Sequence, residues 1–81
     1  MSNDENEARQ FILNYVKQMG MNVGHALFAP NFNSKVITSN LTPKAKEVMV
    51  TELEKLIGSG IFETTSDGRI LLTEDGYNLI Y

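Results

Sequence analysis

Gly58-Ser59-Gly60-Ile61-Phe62-Glu63-Thr64-Thr65-Ser66-Asp67-Gly68-Arg69-Ile70-Leu71-Leu72-Thr73-Glu74-Asp75-Gly76 is the stretch on which the fold turns. Gly58-Ser59-Gly60 ends a helix. Ile61 to Thr65 and Arg69 to Thr73 are two β-prone runs. Asp-Gly between such runs is a leading cue for a tight hairpin, because both residues tolerate positive φ. Ile61 and Leu72 are expected to bury inward. Thr73 is placed to cap a short closing helix from Glu74 to about Ile80, with two acids in its first turn to meet the helix dipole.

Working back towards the amino terminus, Thr42-Pro43 is a strong helix start, a threonine cap followed by proline at the first helical position. Ala45, Met49, Leu53 and Leu56 share one face, flanked by Val48, Glu52 and Ile57. This spacing predicts a helix over 43–58 with Leu53 and Leu56 in the core. At the front, Ala8, Phe11, Ile12, Tyr15, Val16 and Met19 recur every three or four residues and predict a helix over about 4–19. Asp4 with Glu7 fits a capping pattern, Lys17 sits in the last turn, and Gly20 suits the left-handed stop. Residues 21–42 are less regular, with four asparagines, Gly24 and Pro30 among short apolar patches. Proline disfavours helix in the residue before it, so any turn begun near Gly24 is expected to stop by Ala29. An irregular segment is predicted there, then one turn of helix or a short strand over about 34–39.

Length and composition bound the rest. The 81 residues suit a single domain over 1–81, and 42% hydrophobic with 21% charged is an ordinary globular mixture. With no cysteine, disulfides, thiolate metal sites and cysteine nucleophiles are excluded. No apolar run approaches the ~20 residues of a membrane span. The acidic start, Met1-Ser2-Asn3-Asp4-Glu5, is unlike a secretory or transit leader. A cytoplasmic, cofactor-free protein without membrane contact is the expectation. Seven basic residues against ten acidic give a net charge of −3, with no basic tract. Non-specific affinity for nucleic acid is therefore expected to be weak.

The predicted order is α+β: helix, irregular segment or short helix, helix, hairpin, short helix. Leu53-Glu54-Lys55-Leu56, Gly60-Ile61, Asp67-Gly68-Arg69 and Leu72-Thr73-Glu74-Asp75-Gly76 together resemble the second half of winged helix-turn-helix regulators of the MarR-like kind. The resemblance covers about residues 43–80. It implies a small winged-helix-like domain in which the helix before the hairpin reads duplex DNA and the hairpin is the wing. Two features depart from that pattern. The stretch before the candidate recognition helix holds Pro30 and an Asn/Ser-rich run, and the helix's exposed face mixes Lys44 and Lys55 with Glu47 and Glu54.

The candidate nucleic-acid-binding residues are Thr42, Lys44, Lys46, Thr51 and Lys55 on the helix and Arg69 on the wing. Thr42, Lys44 and Lys46 would meet phosphate oxygens, and a wing arginine suits the negative minor groove. The bland alternatives are a capped, solvated helix face and an arginine paired with Asp67 or Glu63. His25 stands alone, without the partners a zinc site needs, and no serine has a nucleophile-elbow context. Glu74 and Asp75 are adjacent and so point apart on a helix. Gly58-Ser59-Gly60 lacks the lysine of a phosphate loop. No catalytic, metal or cofactor residue is assigned, and the protein is not expected to be an enzyme. Two functions follow: a DNA-binding, transcription-regulator-like domain, or a winged-helix protein-protein interaction module with an acidic surface. A protein partner or homodimer would use apolar residues near 26–37 or 77–81.

Overall fold

Among the described residues, five helices and one antiparallel hairpin form an α+β fold around one apolar core. In the computed structural model, which describes residues 3–81, the helices are α1 (Asn3–Gln18), α2 (Ala29–Thr38), α3 (Pro43–Glu47), α4 (Met49–Gly58) and α5 (Glu74–Ile80). The strands are β1 (Phe62–Thr64) and β2 (Ile70–Leu72), paired Phe62 to Leu72, Glu63 to Leu71 and Thr64 to Ile70.

The hairpin forms where the sequence places it, with a different turn. Asp67 keeps negative φ, and only Gly68 is left-handed, at φ 86°. Gly68 N–H donates to the Thr65 carbonyl at 3.0 Å, and Arg69 N–H donates to the Thr65 hydroxyl at 3.0 Å. One glycine in the left-handed region closes a three-residue loop, whereas a two-residue turn of the type expected would need two such residues.

Residues 21–42 depart most from expectation. The backbone of 24–27 runs antiparallel along the free edge of β2. Gly24 N–H donates to Leu72 O and Leu27 N–H to Ile70 O, both at 2.8 Å, and Ala26 bridges Leu71. Helix α2 then begins at Ala29, where a stop was expected, and runs for 10 residues. Pro30 lies in its first turn, where no intrahelical N–H bond is lost, so the proline starts the helix. Phe32 and Val36, four residues apart, face inward. The Ser39 hydroxyl donates to the Val36 carbonyl at 2.6 Å at the helix end.

The helix expected over 43–58 bends at Val48, where φ is −89° and ψ 4°, separating α3 from α4. The ladder nearly survives the bend: Val48 N–H donates to Lys44 O at 3.1 Å, and Glu52 N–H to Val48 O at 3.0 Å. Past the bend, Met49, Glu52 and Leu56 are buried, while Leu53 is only partly covered. Leu53 is therefore a boundary residue, correcting its place in the core, and the inward position is held by a glutamate.

Helix α1 packs on α3, α4 and α5, burying Ala8, Ile12, Tyr15 and Val16, but Met19 lies past the helix end and is exposed. Phe32 brings α2 against this face, 5.0 Å from the Tyr15 ring in an edge-on contact and 5.8 Å from Phe11. Phe62, Leu56 and Leu72 fill the far side. At the carboxyl end the Thr73 hydroxyl accepts from Gly76 N–H at 3.0 Å, capping α5, and donates towards the Gly60 and Ile61 carbonyls. The Tyr81 hydroxyl donates to Val16 O at 3.2 Å, which ties the last turn to α1. Among the described residues no helix is long and apolar enough to cross a membrane.

Candidate functional site

The exposed side of α3 and α4 carries five of the six residues expected to contact DNA. Most of them are engaged within the chain. Thr42 caps α3 by accepting from Ala45 N–H at 3.1 Å, as Thr-Pro predicts. Its hydroxyl also donates to Asp4 Oδ1 at 2.9 Å, and its N–H donates to Glu7 Oε1 at 3.3 Å. The acids read as a cap for α1 thus lie against the start of α3, since α1 already begins at Asn3.

Lys55 reaches α1 as well. Its Nζ lies 3.0 Å from Glu52 Oε2 and 3.8 Å from Glu5 Oε2. Glu52 is only 4% exposed, and the Lys55 ammonium is the one polar group set against its buried Oε2 among the described residues, so Lys55 is what offsets its loss of water. Direct contact with Glu52, then the charge of Glu5, raises the Lys55 ammonium above the usual lysine value. Lys46 donates from Nζ to the Ile37 carbonyl at 3.1 Å, tying α3 to the end of α2. On the hairpin, Arg69 Nε lies 3.1 Å from Asp67 Oδ2, with both side chains well exposed. Thr65, then Arg69, hold the Asp67 carboxyl below its usual range. Only Lys44 and Thr51 project without a side-chain partner among the described residues.

The six residues are therefore not gathered into one basic surface. Lys55 is turned towards α1, Lys46 towards α2, and Arg69 towards its own loop. The same side of the molecule offers apolar surface instead. Ile37 is 72% exposed and Val50 66%. Val50 borders a groove of about 160 Å³ between α2, α4 and β2, lined by Leu27, Phe32, Val36, Met49, Leu53 and Ile70. Glu47 and Glu54, exposed and without ion-pair partners among the described residues, stand before and after Val50 along the helix.

Sequence reasoning missed this groove because it depends on α2 as a full helix. It also missed the buried Glu52. The signal was present, since Met49, Glu52 and Leu56 are spaced by three and four residues as a buried face requires. His25 is a loop residue whose Nδ1 accepts from Asn22 N–H at 3.1 Å, and its carbonyl accepts from Leu72 N–H at 3.0 Å. Among the described residues no group of three His, Asp or Glu side chains is placed to hold a metal ion. Comparison with protein families, characterised proteins and solved structures returns no match for the chain.

Proposed function

We propose that this chain is a non-catalytic winged-helix module that works by protein contact, through the exposed face of α3–α4 and the apolar groove beside it. The element order supports the winged-helix part. α2 fills the stretch ahead of the candidate recognition helix, residues 39–42 join the two, and a hairpin with a charged tip follows.

One observation carries the choice of protein over DNA. Three of the four candidate cations are occupied by groups of the same chain, while Val50 stands exposed at the centre of the face between two unpaired glutamates. A phosphate approaching this face meets Glu47 and Glu54 before it meets a free cation other than Lys44. DNA affinity rests on neutralising phosphates, and each lost contact removes about 0.9 from the log-log salt slope. A single free lysine is too little. The chemistry that complements the face is an apolar side chain or hollow flanked by cations.

Amide-shift titrations test this at low salt. A helical peptide of leucine and lysine should shift residues 46–54 and 70, whereas random duplex DNA should leave 43–55 and 66–70 unmoved. Saturable shifts with DNA on those residues, and none with the peptide, would restore DNA reading as the function.

A further inference from the structure

A second surface answers the description of the partner. Along α1, Arg9, Leu13 and Lys17 follow one another at four-residue spacing, on a flank of the helix about 100° round from the core residues Ala8, Ile12 and Val16, with Leu13 partly buried against that core. With Leu79 and Ile80 of α5 they line an open hollow of about 370 Å³. Leu79 is 54% exposed, and neither Arg9 nor Lys17 has an ion-pair or side-chain hydrogen-bond partner among the described residues. Among the described residues no acid lines the hollow.

We propose that a second copy of this chain is the partner, with Val50 of one copy seated in the α1–α5 hollow of the next. Glu47 and Glu54 then face Arg9 and Lys17. This rests on the reading of the α3–α4 face given above. The spacings agree: at 1.5 Å per residue the two cations are about 12 Å apart along α1, and the two acids about 10 Å apart along α3–α4. An exposed apolar side chain between two carboxylates meets Leu13, Leu79 and Ile80, with the amides of Gln10 and Asn14 beside them, between two cations. Complementary charge of this kind fixes register and suppresses wrong partners. The two faces share no residue, so the contact joins unlike surfaces, head to tail.

The contact is small, one apolar side chain with two charge pairs, so its dissociation constant belongs at about 0.1–1 mM, below what large stable interfaces reach. Sedimentation of the whole chain tests it. In about 20 mM salt, weight-average mass should rise above 9.1 kDa by about half or more as concentration approaches ~1 mM, and fall back in about 500 mM salt as the charges are screened. The double variant R9E/K17E should stay at monomer mass, and so should E47K/E54K. An equal mixture of the two should associate again, because each then offers the charge the other lacks. Amide spectra check that both variants fold.

A wild-type chain that stays at 9.1 kDa throughout overturns the proposal, as does a variant that associates like the wild type, or a mixture that fails to. If the wild-type chain stays monomeric while the leucine–lysine peptide still shifts residues 46–54, only the second copy is overturned as partner. If the peptide also leaves them unmoved, the reading of the α3–α4 face falls with it.

Discussion

Replacing Gly76 by alanine adds one methyl group in the first turn of α5, at a point where the structure has no room for it. A Cβ built at Gly76 collides with the Ile61 carbonyl oxygen and lies 2.9 Å from Leu72 Cδ1. The oxygen cannot yield easily, because it accepts from Thr73 N–H at 3.2 Å and from the Thr73 hydroxyl at 2.9 Å. Relief requires α5 to lift, which strains the Thr73 cap. Overpacking of this kind costs about 1–3 kcal/mol, and a lost cap about 1 kcal/mol more. Alanine's better helix propensity returns about 1 kcal/mol. The net is about 1–3 kcal/mol of destabilisation. In a domain of this size each kcal/mol moves the melting midpoint by roughly 4–8 °C, so a fall of about 5–20 °C is expected by circular dichroism. Gly58→Ala is the control. It lies in α4 with negative φ and open space around its Cβ, and should raise the midpoint through propensity alone. If Gly76→Ala melts within a degree or two of the wild type, or the two variants shift alike, the close approach of α5 to Ile61 is refuted.

The remaining predictions concern the core and its charges. Leu56→Ala, at a fully buried site, should cost about 2–5 kcal/mol in denaturant unfolding, and Leu53→Ala, at the groove, clearly less. Equal losses would show that both leucines are core. Lys55→Met should lower the melting midpoint by leaving Glu52 buried without its cation, and adding Glu52→Met should recover it, since an apolar pair there needs no compensation. A double variant no better than the single would contradict this. The Asp67 carboxyl should titrate below its usual range, and Thr65→Val should bring it back up. Its folded-state value is lowered, so its contribution to stability is present above the unfolded value and lost as pH falls through the folded one. Carboxyl-carbon shifts followed through acid pH measure both.

Local signals were legible wherever they settle a conformation without distant partners. Thr42-Pro43 caps α3 as read, Thr73 caps α5, and Gly20 and Gly68 both take the left-handed backbone. Misreadings fall where the partner is remote. Pro30 is compatible with either the end or the beginning of a helix, and the choice is made by Phe32 packing against Tyr15 and Phe11 on α1. The strand-like segment at 24–27, Gly-His-Ala-Leu, is too short and too poor in β-branched residues to declare itself, and exists because β2 has an edge to offer. Leu53 and Glu52 flank Met49 and Leu56 on the wheel, one on each side. Apolarity favours the leucine inward, yet Lys55 and the backbone bend at Val48 accompany a glutamate there instead. For the candidate site, residue types were legible and their engagement was not. The charge partners of Lys55 and Thr42 include carboxylates from α1, 38 residues away in the case of Thr42 and Asp4.

The bridge between Ala26 and Leu71 also bears on how the chain is made. Synthesis proceeds from the amino end at about 5–20 residues per second, so the 24–27 segment waits roughly 2–9 s for the strand that will receive it. During that interval Gly24, Ala26 and Leu27 have no strand to pair with. The growing chain cannot assemble its native sheet before β2 emerges, and α5 follows β2. Any product cut short before Ile70 therefore lacks the central strand on which both neighbours are hung. Such a fragment presents unpaired apolar segments instead of a smaller version of the fold, and is a substrate for proteolysis.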